Sequence, residues 1–368
     1  MERVEKQHGD LVLVMLLIVI LGTGLALLFS ASYSFSARAF KDPLFLLKRQ
    51  LIWGGLGAVA AFLVSVTPLE ALRRWMPLIL LGALAAALLP FLPRLGTSVL
   101  GSRRWITVLG FSLQPSEIVK LVLILYLASY FAKREEGEGL TLNSLIAPFI
   151  VTSLFAGIIL LQNDYSTAIF ILVIGLAMMF VSEVAVLHVL LVTLLTVPLG
   201  FLLLFTREHR VQRLLAFFDL SSHSSGGGYQ IVTAKAAVVS GGLFGRGLGR
   251  SAAKLGPLPM SYSDFIYTIV GEETGLLGSL FVLGLFGLLA WRGYRIALRA
   301  PDRFSYFVAF GVTSALCLQA LLNMAVAVGL VPTTGVTLPF FSAGGSSLFA
   351  TLVMCGLLVN LSRRVPNV

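Results

Sequence analysis

The sequence predicts an all-α polytopic membrane protein with about ten transmembrane helices and one large extracytoplasmic loop. Hydrophobic residues make up 57% of the 368 residues, charged residues make up only 12%, and the mean hydropathy is +0.94. A soluble domain could not cover this much apolar surface with polar residues. The apolar residues lie in long runs between turn residues, which indicates helical spans because lipid offers open strands no hydrogen-bond partner. We expect one membrane domain over residues 1–368.

The apolar runs have the length of a transmembrane helix, for which about 20 residues are needed. They lie near residues 11–31, 49–66, 76–93, 115–132, 143–161, 165–182, 186–205, 264–291, 306–330 and 346–362. The first run is too long for the core of a signal peptide, so we expect it to stay as an anchor. An even number of spans would place both termini on the same side of the membrane.

Two further apolar stretches are not predicted to span. The large loop, about residues 206–262, contains residues 231–243, which are too few to cross and are interrupted by Lys235. We expect this stretch at the membrane interface or folded back against the bundle. Residues 331–347 are apolar but rich in helix breakers. Such backbone at membrane depth requires hydrogen bonds from protein or from a wet cavity.

The formal net charge of +10 is scattered through the loops. In a membrane protein this pattern favours anionic lipid over nucleic acid as a partner, so we expect no nucleic-acid binding. Arginines after the eighth span, including Arg292 and Arg295, indicate cytoplasmic termini. The outer loops are equally basic, however. Either the orientation is reversed, or the outer basic residues hold an anionic ligand.

The sequence gives no support to hydrolysis by an activated nucleophile. Cys317 and Cys355 lie within apolar runs, where they are expected to pack as small hydrophobic residues. The four histidines show no metal-ligand spacing, and no Ser/His/Asp or Cys/His set is apparent.

Three carboxylates stand where the eighth span begins. A carboxylate at the edge of the hydrocarbon is costly to desolvate, so it usually serves chemistry, ion coordination or a buried ion pair. On a helix starting near Asp264, Glu272 would share the face of Asp264, while Glu273 would point almost opposite. We therefore expect Asp264 and Glu272 to line a cavity and Glu273 to cap or pair. The alternative is that all three acids are structural.

Other charged residues have a structural and a functional interpretation. Glu117 and Lys120, three residues apart at a helix start, can neutralise each other or position a phosphate or a loop. Asp164 is placed to cap the next helix, or to form the polar edge of a site that contacts a sugar or phosphate. Gln319 and Asn323 in the ninth span are expected to bond to a neighbouring helix.

The glycine-rich segment 240–250 contains Arg246 and Arg250. Its main-chain N–H groups could wrap phosphate oxygens, or its glycines could simply make turns. No strand precedes it, so a dinucleotide fingerprint is rejected. Arg210 and Arg213 share a face if their segment is helical, and they could equally be solvated.

Several of these stretches, in this order, resemble the SEDS family of membrane glycosyltransferases (shape, elongation, division and sporulation), which includes RodA, FtsW and SpoVE. The resemblance runs nearly end to end. The matching stretches are G-S-R-R-W-I from Gly101, L-Q-P-S-E from Leu113, Q-N-D-Y-S-T-A from Gln162, G-Y-Q from Gly228, S-G-G-L-F-G-R-G-L-G from Ser240, L-P-M-S-Y-S-D-F-I from Leu258, G-E-E-T-G from Gly271 and L-P-F-F-S-A-G-G-S-S from Leu338.

The resemblance implies a ten-span fold in the bacterial cytoplasmic membrane with both termini cytoplasmic, and polymerisation of lipid II into glycan strands on the outer face. It also implies a class B penicillin-binding protein as transpeptidase partner, within an elongation or division complex. Asp264 falls on the family's essential aspartate. Departures from the family pattern occur at Asn163, Ser166, Met260 and Ala343. Two stretches, from Gly245 to Lys254 and from Val336 to Phe340, are slightly closer to the FtsW and SpoVE branch.

The resulting hypothesis is an inverting glycosyl transfer with Asp264 as general base. Asp264 could instead hold a divalent cation, Mg²⁺ or Mn²⁺. The residues expected to bind substrate are Arg103, Arg210, Arg246, Lys254, Glu117, Lys120, Asp164 and Glu272. The alternatives are a transporter that flips a lipid-linked cell-wall precursor, and a non-catalytic scaffold for division or elongation. The transporter ranks second because no duplicated halves are evident.

Overall fold

The computed structural model describes residues 10–92, 95–99, 102–108, 110–136, 141–204, 208–218, 227–256 and 258–365. The helices within these residues are α1 (Leu11–Phe40), α2 (Phe45–Val66), α3 (Leu69–Arg74), α4 (Met76–Leu88), α5 (Pro115–Glu136), α6 (Ile146–Leu161), α7 (Tyr165–Val181), α8 (Val186–Leu204), α9 (Glu208–Phe218), α10 (Gly227–Ser240), α11 (Ile266–Leu298), α12 (Arg303–Ala327) and α13 (Gly345–Ser362). The mostly helical fold is as predicted.

Among the described residues, 7 helices are long and apolar enough to cross a membrane, and three shorter apolar helices, in α4, α7 and α8, coincide with the other predicted spans. The exact number of spans stays a prediction. The eighth span differs from its predicted bounds, since α11 runs from Ile266 to Leu298. Arg292 and Arg295 therefore lie inside a helix and not in a loop.

A small antiparallel sheet was not predicted. It consists of β1 (Gly96–Val99), β2 (Ser102–Val108) and β3 (Phe111–Leu113), in the order β1-β2-β3, and lies between α4 and α5. Gly110 turns the chain between β2 and β3 with a φ of 81°. A short hairpin pairs its own backbone groups. Apolar runs of the length of a transmembrane span carry no signal for such an element.

The centre of the bundle is formed by α5, α12 and α13. Of the most apolar 18-residue stretch of each helix, 72%, 78% and 78% of the residues are buried within the protein, against 22% for α2. The predicted large loop contains α9 and α10. Of the two alternatives for residues 231–243, the structure supports folding against the bundle, because α10 packs on α11 and α12.

The chain between α12 and α13 is non-helical, as predicted, and its backbone is bonded by protein. The Gln50 side chain donates to the Ser342 carbonyl (3.0 Å) and accepts from the Gly344 N–H (3.3 Å). Phe340 and Phe341 are fully buried. Gly24 of α1 permits a close approach, since a Cβ there would lie 2.5 Å from the Phe340 carbonyl oxygen.

The two ends of the described chain lie at the same end of the bundle. The Asp10 N–H donates to the Ser362 hydroxyl (3.2 Å), and the Asp10 carboxylate accepts from the Arg292 guanidinium (2.8 Å). Phe35, near the other end of α1, stacks on Tyr262 with ring centroids 4.5 Å apart. At 1.5 Å per residue, the residues around Tyr262 lie about 38 Å from Asp10.

Candidate active site

Asp264 lies in a turn just before α11, whereas the sequence predicted it at the start of the helix. The helix begins at Ile266, and the Asp264 N–H bonds to the Met260 carbonyl (3.1 Å). The carboxylate is partly exposed and accepts a hydrogen bond from the Ser263 hydroxyl (3.0 Å). Gly335 faces it, since a Cβ on that glycine would lie 3.5 Å from Asp264 Oδ2.

Burial raises the pKa of the Asp264 carboxyl above its usual range. The Ser263 hydrogen bond and the positive charges of Arg213 and Arg104 oppose this effect, and the negative charge of Asp164 adds to it. Desolvation outweighs these two cations because the partly buried carboxylate loses much of its contact with water. The result is a carboxylate that is a stronger proton acceptor than an ordinary surface aspartate.

Arg104, on β2, is the arginine of the G-S-R-R-W-I stretch that acts on Asp264. Its guanidinium lies 3.6 Å from Asp164 Oδ1 and donates to the Asn163 carbonyl, while its Nε atom is buried without a hydrogen-bond partner. Arg103 is exposed on the same strand. The pairing register between β1 and β2 shifts at Arg104, and such a bulge redirects a side chain. Arg104, which the sequence did not single out, therefore supplies a positive charge that acts on Asp264, and a substrate contact by Arg103 stays a prediction.

Arg213, on α9, is exposed and supplies the other positive charge felt by Asp264. The predicted ligand Arg210 also belongs to α9, but its side chain lies outside the described residues. Helical spacing was the sequence signal that linked the two arginines. Only the fold brings α9 near the start of α11.

Asp164 caps α7, as predicted, by accepting from the Thr167 N–H (3.2 Å). The same carboxylate accepts from the Gln114 side chain (2.9 Å) and pairs with Arg104. It is therefore buried among donors rather than open to solvent. Its contact with a sugar or phosphate stays a prediction.

Glu117 and Lys120 form the predicted ion pair, with 2.9 Å between Lys120 Nζ and Glu117 Oε2. Both side chains are buried, and Lys120 also donates to Gln319 Oε1 (2.8 Å). The pair is thus built into the helix contact between α5 and α12. Direct contact of either residue with substrate stays a prediction.

Glu272 and Glu273 both face the segment between α10 and α11, so the prediction that they point almost opposite is wrong. Glu272 accepts from the Ser251 hydroxyl, from the N–H groups of Ala252 (3.0 Å) and Ala253 (3.2 Å), and from Arg246 (3.2 Å). Its carboxylate therefore meets this segment and not a cavity shared with Asp264. Its role as a substrate ligand stays a prediction.

Glu273 is structural, as predicted. Its carboxylate pairs with Lys254 (2.6 Å) and accepts from the Ser30 hydroxyl of α1. Lys254, expected to bind substrate, is itself buried and donates also to the Ser30 carbonyl (3.2 Å). This ion pair fastens the segment between α10 and α11 to α1. A substrate contact by Lys254 stays a prediction.

The glycine-rich segment uses within the protein several of the main-chain N–H groups that a phosphate cradle would need, which favours the turn interpretation. Several of its main-chain N–H groups are bonded within the protein, those of Arg246 and Gly247 to the carbonyls of Glu272 and Glu273 and that of Gly249 to Ser30 Oγ. The Arg246 guanidinium bonds to Glu272, and its side chain remains 46% exposed. The exposed arginine side chains of this segment remain available to an anion.

No group of three or more His, Cys, Asp or Glu side chains that could hold a metal ion occurs among the described residues. Asp264 and Asp164 are the carboxylates nearest to such a role. Asp164 is occupied by Arg104 and Gln114, which leaves Asp264 as the only open carboxylate ligand of the two. A divalent cation stays a prediction.

Fold and site together define a polytopic membrane protein with a basic-flanked carboxylate at one end of a helical bundle. The chain belongs to the FtsW/RodA/SpoVE family, whose model, described as cell cycle protein, matches residues 10–367. This confirms the resemblance.

Relatives and solved structures match over nearly the whole chain. A protein of Geobacter sp. (strain M18) named probable peptidoglycan glycosyltransferase FtsW is 35% identical over 365 residues, which cover 99% of each chain. Stage V sporulation protein E of Bacillus subtilis is 37% identical over 361 residues, which cover 98% of each. The crystal structure of the Thermus thermophilus rod shape determining protein RodA matches with a TM-score of 0.70 at 28% identity, covering 98% of each chain. A chain of a peptidoglycan synthase complex matches with a TM-score of 0.76 at 28% identity, covering 96% of this chain and 98% of that one.

Proposed function

We propose that this protein is a peptidoglycan glycosyltransferase that polymerises lipid II at the outer face of the bacterial cytoplasmic membrane. Membership of the family and the names of its full-length relatives support the reaction class. The observation that carries the assignment of the site is the Asp264 carboxylate, whose pKa is raised by burial and on which the positive charges of two arginines act. A base and cations together suit transfer from a pyrophosphate donor.

In the proposed step, a sugar hydroxyl of the acceptor attacks the anomeric carbon of the donor. The new C–O bond forms as the bond to the pyrophosphate breaks, and the electron pair of that bond leaves with the pyrophosphate. Asp264 takes the hydroxyl proton. Arg104 and Arg213 offset the negative charge that develops on the leaving group. A second acid is not needed, because pyrophosphate leaves as a stabilised anion.

A divalent cation, if one binds, would be held by Asp264. Its chemistry would be neutralisation of the leaving group. No step above requires it, since Asp264 acts as a base through its own carboxylate and the arginines supply positive charge.

The proposed partner is a class B penicillin-binding protein that cross-links the glycan strands. The likeness to a chain of a solved synthase complex described as coordinating polymerization and crosslinking supports this partnership. The proposed orientation places the start of α1 and the end of α13, which lie side by side, at the cytoplasmic face. Asp264 would then lie at the outer end of the bundle, where the polymer is made.

The test is polymerisation of lipid II by the full chain in liposomes, alone and with the class B protein of the same cells. The Asp264→Asn variant should form no glycan polymer. The control is Asp42→Asn, which removes a half-buried carboxylate paired with Lys48 just after α1. Undiminished polymer from Asp264→Asn would overturn the assignment of the base.

The same liposomes separate the alternatives. A wild-type chain that moves labelled lipid II across the bilayer without making polymer would be a transporter. One that only binds the class B protein would be a scaffold.

A further inference from the structure

The turn that carries Asp264 is held at successive main-chain carbonyls. The Tyr262 carbonyl accepts from the Ala343 N–H (2.9 Å), the Ser263 carbonyl from the Ser342 hydroxyl (2.6 Å), and the Asp264 carbonyl from the Asn323 side chain (2.9 Å). Because α11 starts only at Ile266, the Thr268 N–H bonds to Phe265 and leaves the Asp264 carbonyl to Asn323.

Asn323 uses both hydrogens of its amide. Besides the Asp264 carbonyl, its Nδ2 donates to the Val336 carbonyl (2.7 Å), and the residue is fully buried. A single side chain of α12 thereby joins the Asp264 turn to the non-helical segment 331–344. Apolar packing cannot replace this link, because a hydrocarbon side chain would leave two buried carbonyls without donors.

The neighbouring turn of α12 continues the link toward α5. Gln319 donates to the Thr337 carbonyl (3.0 Å) and accepts from Lys120, which is paired with Glu117. Residues four apart lie on the same helix face, so Gln319 and Asn323 hold successive parts of one segment. This assigns the buried Glu117–Lys120 pair an indirect connection to the Asp264 turn.

We propose that Asn323 is a positioning residue for the transfer reaction, fixing the backbone of Asp264 against segment 331–344 so that its carboxylate meets the acceptor hydroxyl in one geometry. This inference rests on the proposed glycosyl transfer. A base that is displaced by about 1 Å can lose about a hundredfold in rate, and substrate binding need not change. The signature of such a residue is therefore a loss of kcat at constant KM.

The molecule contains a matched control at the opposite end of the bundle. Asn360 of α13 is also buried, and its Nδ2 donates to the carbonyls of Val64 and Thr67 (2.7 Å each). Asn323→Leu and Asn360→Leu each remove a buried amide that bonds to two main-chain carbonyls. They differ in whether one of those carbonyls belongs to Asp264.

The experiment measures kcat and KM for lipid II polymerisation by the full chain, with the class B protein present, together with the thermal unfolding midpoint. We expect Asn323→Leu to lower kcat by about ten- to a hundredfold and to leave KM within about twofold. Asn360→Leu should lower the midpoint similarly but leave kcat within about twofold. Equal kcat values in the two variants, or a rise of KM alone in Asn323→Leu, would overturn the proposal.

Ser342→Ala is the second variant, which decides the matter if Asn323→Leu does not fold. It removes the hydroxyl that holds the Ser263 carbonyl and should lower kcat in the same way, by a smaller factor. A normal kcat in Ser342→Ala contradicts the fixed turn. Absence of polymer from the wild-type protein with its partner would instead contradict the proposed function, so the two failures are distinguishable.

Discussion

The main-chain N–H of Arg246 donates a 3.0 Å hydrogen bond to the main-chain carbonyl of Glu272 and thereby completes a broken helix. At Gly275 the backbone of α11 adopts a φ of 70° and a ψ of −163°, which separates the carbonyls of Glu272 and Glu273 from their usual donors. Gly247 donates to Glu273 (3.0 Å), and the N–H groups of Leu276 and Leu277 turn to the carbonyls of Gly242 (2.9 Å) and Leu243 (3.2 Å).

This exchange explains the glycines better than a phosphate site does. An unbonded backbone group within the hydrocarbon costs several kcal/mol, so the break requires a second backbone at close range. A Cβ on Gly241 would lie 2.0 Å from the Gly271 carbonyl oxygen, and one on Gly245 would lie 2.2 Å from that of Glu273. Only glycine lets the two main-chain segments approach so closely.

Gly241→Ala should therefore destabilise the protein by about 1–3 kcal/mol, because the added methyl group must displace main-chain atoms. The comparison is Gly22→Ala in α1, where a Cβ meets nothing within 4 Å and alanine favours the helix by about 1 kcal/mol. Thermal unfolding in detergent measures both. Similar unfolding midpoints for the two variants would contradict the close approach.

Replacing Lys254 by Met should cost about 3–5 kcal/mol, since it leaves the Glu273 carboxylate buried without its partner. In the double variant Lys254→Met/Glu273→Gln, most of this loss should be recovered. A double-mutant cycle of unfolding free energies measures the coupling. Strictly additive effects would show that the pair does not hold the segment to α1.

Arg104→Ala should raise the KM for lipid II by about tenfold or more, the effect of losing a charged hydrogen bond. Arg103→Ala removes the same charge from the same strand and should change KM far less, because that side chain is exposed, whereas the charge of Arg104 acts on Asp264. Steady-state kinetics at fixed salt compare the two. A larger effect of Arg103→Ala would restore the residue that sequence reasoning preferred.

Asp264→Asn should make the protein more stable at neutral pH. The folded protein holds the Asp264 proton more tightly than the unfolded chain, because burial raises the pKa. Between the ordinary pKa of about 3.9 and the raised value, the unfolded chain loses this proton first, so wild-type stability falls as pH rises through that window.

Unfolding midpoints measured from low to neutral pH test this sign. Wild type and variant should coincide below the ordinary pKa and separate above it, with the variant the more stable. A variant that is less stable at neutral pH would show that the Asp264 carboxylate is held by ionic partners rather than desolvated.

The sequence was sufficient for features that depend on local patterns. Apolar run length located the spans, and the spacing of Glu117 with Lys120 gave their ion pair, since residues three apart on a helix are neighbours. The position of Asp164 before α7 gave its capping role. Helix breakers in residues 331–347 gave a non-helical segment bonded by protein.

The tertiary structure decided which distant groups meet. Whether Arg103 or Arg104 acts on Asp264 depends on a register shift in the pairing of β1 with β2, and the directions of Glu272 and Glu273 depend on a backbone segment inserted at Gly275. The hydrogen bonds of Asn323 to residues 264 and 336 likewise join parts of the chain that no sequence period relates. Local patterns determine whether a single helix is stable in lipid. The arrangement of the site depends on buried polar groups, which need hydrogen-bond partners on other elements of the fold.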